Sequence, residues 1–230
     1  MLFRSFRPIS LCNVIYKLIS KTLANRLKTF LPFIISENQS AFTSDRLITD
    51  NVLVAFELMH FLNHETAGKE GIMAAKLDMS KAFDRVERCF LKRVMEKLGF
   101  CSKWVNLIMQ CISSVSYSVI INGVAYGSIK PSKGLHQGDP LSPSLFLLCA
   151  EGLSIIIHKA VRNHSFTGIF ICRSSPSVTH LFFADDIILF CKANSDECQK
   201  LKLILQMYEN ASVQKINTKK SLIFFSPSTT

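Results

Sequence analysis

Three aspartates in apolar settings are the residues of this chain best suited to chemistry. Asp185 and Asp186 are adjacent, between the runs Leu181-Phe182-Phe183-Ala184 and Ile187-Ile188-Leu189-Phe190. That pattern predicts a strand, a tight turn and a second strand, with both carboxylates at the tip. Side-by-side carboxylates repel, and apolar surroundings add a desolvation cost. A divalent cation removes both penalties. The alternative is a solvated hairpin turn, where Asp is at home. Far upstream, Asp78 closes another short apolar run, Ile72 to Leu77. If the two strands are neighbours, three carboxylates converge at one sheet edge. Such a cluster can hold two Mg²⁺ ions roughly 3.5–4 Å apart, bridged by carboxylates and substrate phosphates. One ion lowers the pKa of an attacking hydroxyl and the other stabilises leaving pyrophosphate oxygens. The chemistry is in-line phosphoryl transfer, governed by positioning and charge neutralisation.

Other constellations are weaker. His60 and His64 are four apart on a predicted helix and could share a metal, but no acidic third ligand stands near, so a surface pair is the alternative. The eight cysteines form no Cys-x-x-Cys pair and no zinc-module spacing, which points to free thiols in a reducing compartment. The loop from Pro131 to Pro143 is rich in Pro and Gly, and its glycines would let backbone approach a ligand closely.

Composition narrows the class. The chain has 230 residues, 48% hydrophobic and 19% charged, enough to bury a sizeable core and incompatible with disorder. A net charge of +10 favours an anionic partner, nucleic acid or an anionic membrane surface. The charge is spread along the chain rather than held in a tail, as in a protein that lines a groove. Arg4, Arg7 and Lys17 interrupt the apolar N-terminus, so no signal peptide is predicted, and the expected location is nucleus or cytoplasm. The most apolar stretch, Leu141 to Ile157, is broken by Pro143 and Glu151 and reads as too short to span a membrane.

The elements that must position the aspartates follow from periodicity. A helix capped by Ser10 is expected to bury Leu11, Ile15, Leu18, Ile19, Leu23, Leu27 and Phe30 and to end at Pro32. A second, from Thr49 to about Asn63, would bury Val52, Leu53, Phe56, Met59 and Leu62. A strand leads to Asp78. Helices follow over about Glu87 to Leu98 and from a cap at Ser102. Asn122-Gly123 predicts a hairpin between strands 117–122 and 125–130. A long apolar helix runs to about Ala160, then strands near Gly168 to Cys172 and around Asp185-Asp186. A helix from Asn194 or Ser195 to about Ala211 precedes a last strand, Leu222 to Phe225.

Taken together these pieces resemble a known family. Phe6-Arg7-Pro8-Ile9-Ser10-Leu11, Glu37-Asn38-Gln39-Ser40-Ala41-Phe42, Arg46-Leu47-Ile48-Thr49-Asp50-Asn51, the run from Leu77 to Val86, Gln137-Gly138-Asp139-Pro140-Leu141-Ser142-Pro143, Phe183-Ala184-Asp185-Asp186 and Gln214-Lys215-Ile216-Asn217 occur in one order. It is the order of the reverse transcriptase domain of plant LINE-type (non-LTR) retrotransposons, and the resemblance covers nearly the whole chain. It implies an α+β right-hand polymerase, with helical fingers over residues 1–70 and a palm with an antiparallel sheet over 71–230. The implied activity is RNA-directed DNA polymerisation, a two-metal nucleotidyl transfer of dNTPs onto a primer 3′-OH. Mg²⁺ is the implied cofactor, with Mn²⁺ a substitute, and the partners are an RNA template, a DNA primer and dNTPs, with no membrane.

The resemblance also implies roles for single residues. Asp78, Asp185 and Asp186 match the metal-binding aspartates, with the Met79 main chain a further ligand. Phe83 matches the aromatic under the incoming sugar, which leaves no room for a 2′-hydroxyl; its alternative is a core Phe, one of eighteen. Gln137 matches the residue that touches incoming nucleotide and template, and Gly138 lets the chain pass close to the bases. Arg7 and Lys17 match residues that pair with the triphosphate, and Lys220 a general acid toward pyrophosphate. A solvated surface is the alternative for these three.

Departures stand beside the matches. Ser44-Asp45 replaces a usual Pro-Gly, His136 a common Arg, Cys89 a common acidic residue, and Val213 a usual Gly. A positive φ at Val213 would be strained. No thumb, endonuclease, RNase H-like or zinc-knuckle segment is legible, so the chain reads as a fragment or genomic remnant. Three readings remain: a reverse transcriptase domain, a silent remnant that binds nucleic acid through its charge, and a palm-fold nucleotidyl cyclase. Gln137-Gly138 and Arg7-Pro8 speak against the last.

Overall fold

A computed structural model describes residues 12–65, 71–172 and 175–229. The order is α1 (Val14–Lys28), α2 (Leu31–Ile34), α3 (Ile48–His64), β1 (Ile72–Leu77), α4 (Arg88–Lys97), α5 (Ser102–Ser113), β2 (Tyr117–Ile121), β3 (Val124–Ile129), α6 (Ser142–Arg162), β4 (His180–Phe183), β5 (Asp186–Lys192), α7 (Ser195–Ser212) and β6 (Leu222–Phe225). This is the expected α+β mixture. Four strands form one antiparallel sheet in the order β4-β5-β1-β6, and β2-β3 is a separate hairpin. Its turn, Asn122-Gly123, has φ +49° and +82°, the double left-handed conformation that Asn-Gly favours.

Side chains of α6 share the main core with those of β1 and β5, and α6 is flanked by α4 and α7. Alternation along β1 sends Met73, Ala75 and Leu77 into this main core and Ala74 to the opposite face. There a second, smaller cluster forms where Leu58 and Leu62 of α3 meet Ala74, Leu181 and Phe190. Of its 21 residues α6 buries twelve, including Leu145, Leu147, Leu148, Leu153 and Ile157. Each such side chain contributes about 1.5–3 kcal/mol over exposure. By length and composition α6 is the one described helix that could cross a membrane; here it is the central core helix.

Ser10 lies outside the described residues, and α1 is capped by Asn13, whose Oδ1 accepts the Tyr16 N–H at 2.7 Å. Pro32 does not stop that helix: α1 closes at Thr29, and Pro32 sits in the first turn of α2, where its missing N–H costs nothing. Ile15, Leu18, Ile19 and Phe30 are exposed, while Ser20, Leu23, Ala24 and Leu27 are buried. On α3, Val52, Leu53 and Phe56 are exposed, and Leu58 and Leu62 face inward. Cys101, not Ser102, is the N-cap of α5. Gly168 to Cys172 is no strand, only an isolated bridge between Ile169 and Val178.

Candidate active site

Strand register builds the site. Leu77 of β1 faces Ile187 of β5, so one step outward Asp78 stands across from Asp186. Leu77 and Ile187 both enter the main core. Strand alternation therefore puts Asp78 and Asp186 on the other face, at cross-strand spacing. Phe183 pairs with Asp186, which leaves Ala184 and Asp185 as the two-residue turn. The tip is thus Ala184-Asp185, and Asp186 is the first residue of β5, a correction to the expected tip. Ala184 has φ +54°, a left-handed backbone that costs an L-residue about 1–2 kcal/mol. Asp78 and Asp185 are half-buried and Asp186 is exposed.

Asp78 is held on every side. Its N–H donates to Ser221 Oγ (3.1 Å), its carbonyl accepts the Asn217 N–H (2.8 Å), and its Oδ2 accepts Asn217 Nδ2 (3.1 Å). The run 214–217 lies along the end of β1. Met79 bridges Ile216, and Ser80 N–H donates to the Lys215 carbonyl at 2.8 Å. The bonds of that bridge come from Asp78 and Ser80, so it leaves the Met79 carbonyl unused. Gln214 Nε2 donates to the Ala82 carbonyl at 2.9 Å and anchors the start of the run. Spacing alone could not assign Asn217; only its motif marked it.

Among the described residues, none of the three aspartates makes an ion pair. Nor do three acidic, His or Cys side chains already converge to ligand distance. Oxygen donors with no competing cation fit Mg²⁺, which keeps several waters and takes one or two carboxylates plus substrate phosphates rather than a preformed cage. His60 and His64 are exposed and stack at 4.1 Å, with His64 Nδ1 bonded to the His60 carbonyl at 2.8 Å.

The remaining expected residues border this edge through two loops. Gly134 N–H donates to the Val86 carbonyl and Leu135 N–H to that of Phe83, each at 2.8 Å, which ties the Pro/Gly-rich loop to the turn after β1. A Cβ on Gly134 would meet the Asp84 carbonyl at 2.9 Å. Phe83 is half-buried and stacks on Phe146 of α6 at 4.7 Å. Gln137 is half-buried, and Gly138 is exposed with φ +104°. Their neighbour Asp139 is buried: its Oδ2 accepts the Tyr16 hydroxyl (3.2 Å) and its Oδ1 the Leu141 N–H (3.3 Å). This docks α1 against the loop and puts the exposed Lys17 beside it. Burial, then the nearby Asp139, raise the Tyr16 pKa, so its hydroxyl remains a donor. His136 is buried against Tyr117, with Cys12 Sγ at 3.3 Å from Nδ1. Desolvation lowers its pKa, so it carries no charge at pH 7. Lys220 is exposed and donates its N–H to the Asn217 carbonyl at 3.0 Å, on the segment that holds Asp78. Arg7 lies outside the described residues.

Residues 3–229 match the family described as reverse transcriptase (RNA-dependent DNA polymerase). The chain belongs to the reverse transcriptase family. Divalent metals are the general cofactors of reverse transcriptases. This reverse transcriptase chain is 30% identical over 227 residues, 96% of its length, to the transposon TX1 uncharacterised 149 kDa protein of Xenopus laevis, and covers 16% of that protein. It is 27% identical over 188 residues, 81% of its length, to a Pol polyprotein of the retrotransposable element R2 of Nasonia vitripennis, covering 17% of it. An uncharacterised mitochondrial protein of Arabidopsis thaliana is 51% identical over 67 residues, 29% of the chain and 55% of that protein. The chain spans about a sixth of the length of its TX1 and R2 relatives. Telomerase of Candida albicans in complex with a telomeric RNA fragment shares the fold, with TM-score 0.61 and 12% identity over 93% of this chain and 36% of that one. The polymerase palm expected from the motifs is therefore the sheet that carries the three aspartates.

Proposed function

We propose that this chain is the fingers and palm of a non-LTR retrotransposon reverse transcriptase, which adds dNTPs to a DNA primer on an RNA template. The observation that carries the reading is the β1–β5 register, which continued by one residue sets Asp78 across from Asp186, with Asp185 in the adjoining turn, at one end of the two central strands. Bound there by Asp78, Asp185, Asp186 and the Met79 carbonyl, Mg²⁺ (or Mn²⁺) would activate the primer hydroxyl and neutralise the triphosphate. Asn217 orients Asp78. Phe83, backed by Phe146, takes the sugar, and Gln137 with Gly138 takes the base pair. Lys17 and Arg7 meet the triphosphate, and Lys220 delivers a proton to the leaving pyrophosphate. Fingers occupy 1–70 and palm 71–230. The 51% match to a plant protein supports a plant LINE-type origin. The net charge of +10 suits a nucleic-acid backbone.

The neutral His136 and the left-handed Val213 (φ +59°) favour a second reading, an inactive remnant that binds nucleic acid without sequence preference. Mg²⁺-dependent extension of a DNA primer on an RNA template, measured beside Asp185→Asn, separates the two. Extension lost in the variant supports a polymerase. Equal extension in both proteins removes the aspartates from the mechanism, and no extension by folded protein supports the remnant.

A further inference from the structure

A buried amide outside the metal edge reaches the catalytic turn. Gln39 is 1% exposed. Its Oε1 accepts the Ala41 N–H and, 145 residues along the chain, the Ala184 N–H, each at 3.0 Å. Ala184 is the first residue of the Ala184-Asp185 turn, buried and in a left-handed conformation that alanine disfavours. Ala184 is buried, so the bond to the Gln39 oxygen offsets a desolvation penalty at its N–H as well as opposing the strain.

The rest of the segment is fixed by bonds of its own. Gln39 bridges Phe182 in parallel: Phe182 N–H donates to the Asn38 carbonyl (2.8 Å), and Ser40 N–H to the Phe182 carbonyl (3.2 Å). Asn51 Nδ2 spans the Asn38 and Phe182 carbonyls at 3.0 and 2.9 Å. The Arg46 guanidinium gathers the carbonyls of Pro32, Ile35, Ser36 and Gln39. These bonds fasten the segment to the outer edge of β4 and to itself. Among the described residues, Gln39 alone carries a side-chain bond onto the turn.

We infer that Gln39 is a positioning residue for the metal edge: it selects the left-handed Ala184 and thereby sets where Asp185 stands relative to Asp78. This rests on the reading of the three aspartates as metal ligands. A scaffold residue would act through the stability of the whole segment, whereas Gln39 acts through one backbone conformation. The two differ in what rescues them, because glycine adopts positive φ without steric cost.

The test compares Gln39→Leu, Asn51→Ala, Ala184→Gly and the double variant Gln39→Leu with Ala184→Gly. Mn²⁺ affinity is read by electron paramagnetic resonance, and exchange of the Ala184 amide by NMR. Gln39→Leu is expected to weaken Mn²⁺ binding about tenfold, the lower end of what partners of metal ligands contribute. Ala184→Gly in that background recovers most of the loss. Asn51→Ala lowers the melting temperature without changing Mn²⁺ affinity. Wild-type affinity in Gln39→Leu overturns the inference, and so does a loss that Asn51→Ala reproduces and Ala184→Gly fails to repair. If the unaltered protein binds no Mn²⁺ that Asp185→Asn abolishes, the metal reading fails instead. Amide exchange then decides the inference: faster exchange at Ala184 than at Phe182 in Gln39→Leu upholds it, and unchanged exchange at Ala184 overturns it.

Discussion

The contact between Asn217 and Asp78 yields a quantitative expectation. Asn217 Nδ2 donates to Asp78 Oδ2 at 3.1 Å, and the backbones of the two residues are joined at 2.8 Å. Asn217→Ala keeps the backbone bond and frees the carboxylate to rotate. A hydrogen bond to a charged group contributes about 1.5–3 kcal/mol. If most of that holds Asp78 in its ligating rotamer, the ion site weakens about 10- to 100-fold. Thermal melting in a Mg²⁺ or Mn²⁺ series reads this without requiring turnover. At an ion concentration about 100 times Kd the unaltered protein gains about 2.7 kcal/mol. For a chain of this size that is a rise of about 5–10 °C. A site ten times weaker gains about 1.4 kcal/mol at the same concentration, so the rise halves. In EDTA the variant should melt no more than about 6 °C below the parent, since a half-exposed bond contributes at the low end of that range. A variant whose ion-dependent rise equals the parent's would refute the idea that Asn217 orients Asp78. A variant that melts far lower in EDTA would show that the amide holds the fold rather than the carboxylate.

Two further outcomes follow from groups outside the metal edge. Val213 ends α7 at φ +59°, where a β-branched residue is strained by about 1–2 kcal/mol. Val213→Gly relieves this at the expense of partly buried methyls worth about 1 kcal/mol, so melting should hold steady or rise by up to about 4 °C; a clear fall refutes the strain. His180 is buried between Ser154 Oγ (2.9 Å) and Thr179 Oγ1 (2.8 Å), and burial, then His158, lower its pKa to about 3. The folded state therefore resists a proton that the unfolded state accepts near pH 6.5. Its contribution is complete above that pH and is lost as pH falls toward 3. His158 titrates in the same direction, and Glu151, raised by burial, opposes both. Denaturant unfolding across pH 4.5 to 6.5 should show stability falling with pH, and His180→Asn should flatten the slope by up to about 1.4 kcal/mol per pH unit. An unchanged slope refutes the assignment.

Much of this protein is legible in its sequence. The strand before Asp78, the Asn122-Gly123 turn, the helix capped by Asn194 and the hairpin at Asp185 are set by neighbours in sequence, because capping, turn chemistry and alternation act over a few residues. The strain at Val213 was likewise readable from one substitution and one helix end. Tertiary structure decided the rest. On the apolar stripes of α1 and α3, Leu23, Leu27 and Leu62 are buried as periodicity indicates, but periodicity does not say how far along a stripe a partner reaches, and Ile15, Leu18, Val52 and Phe56 are exposed while Leu58, off the expected stripe, is buried. The pairing of β1 with β5, which brings Asp78 to Asp186, joins segments far apart in the chain. So do the amides of Gln39 on Ala184 and of Asn217 on Asp78. A hydrogen bond needs its two atoms near 3 Å, and only the closed fold brings such distant groups that close.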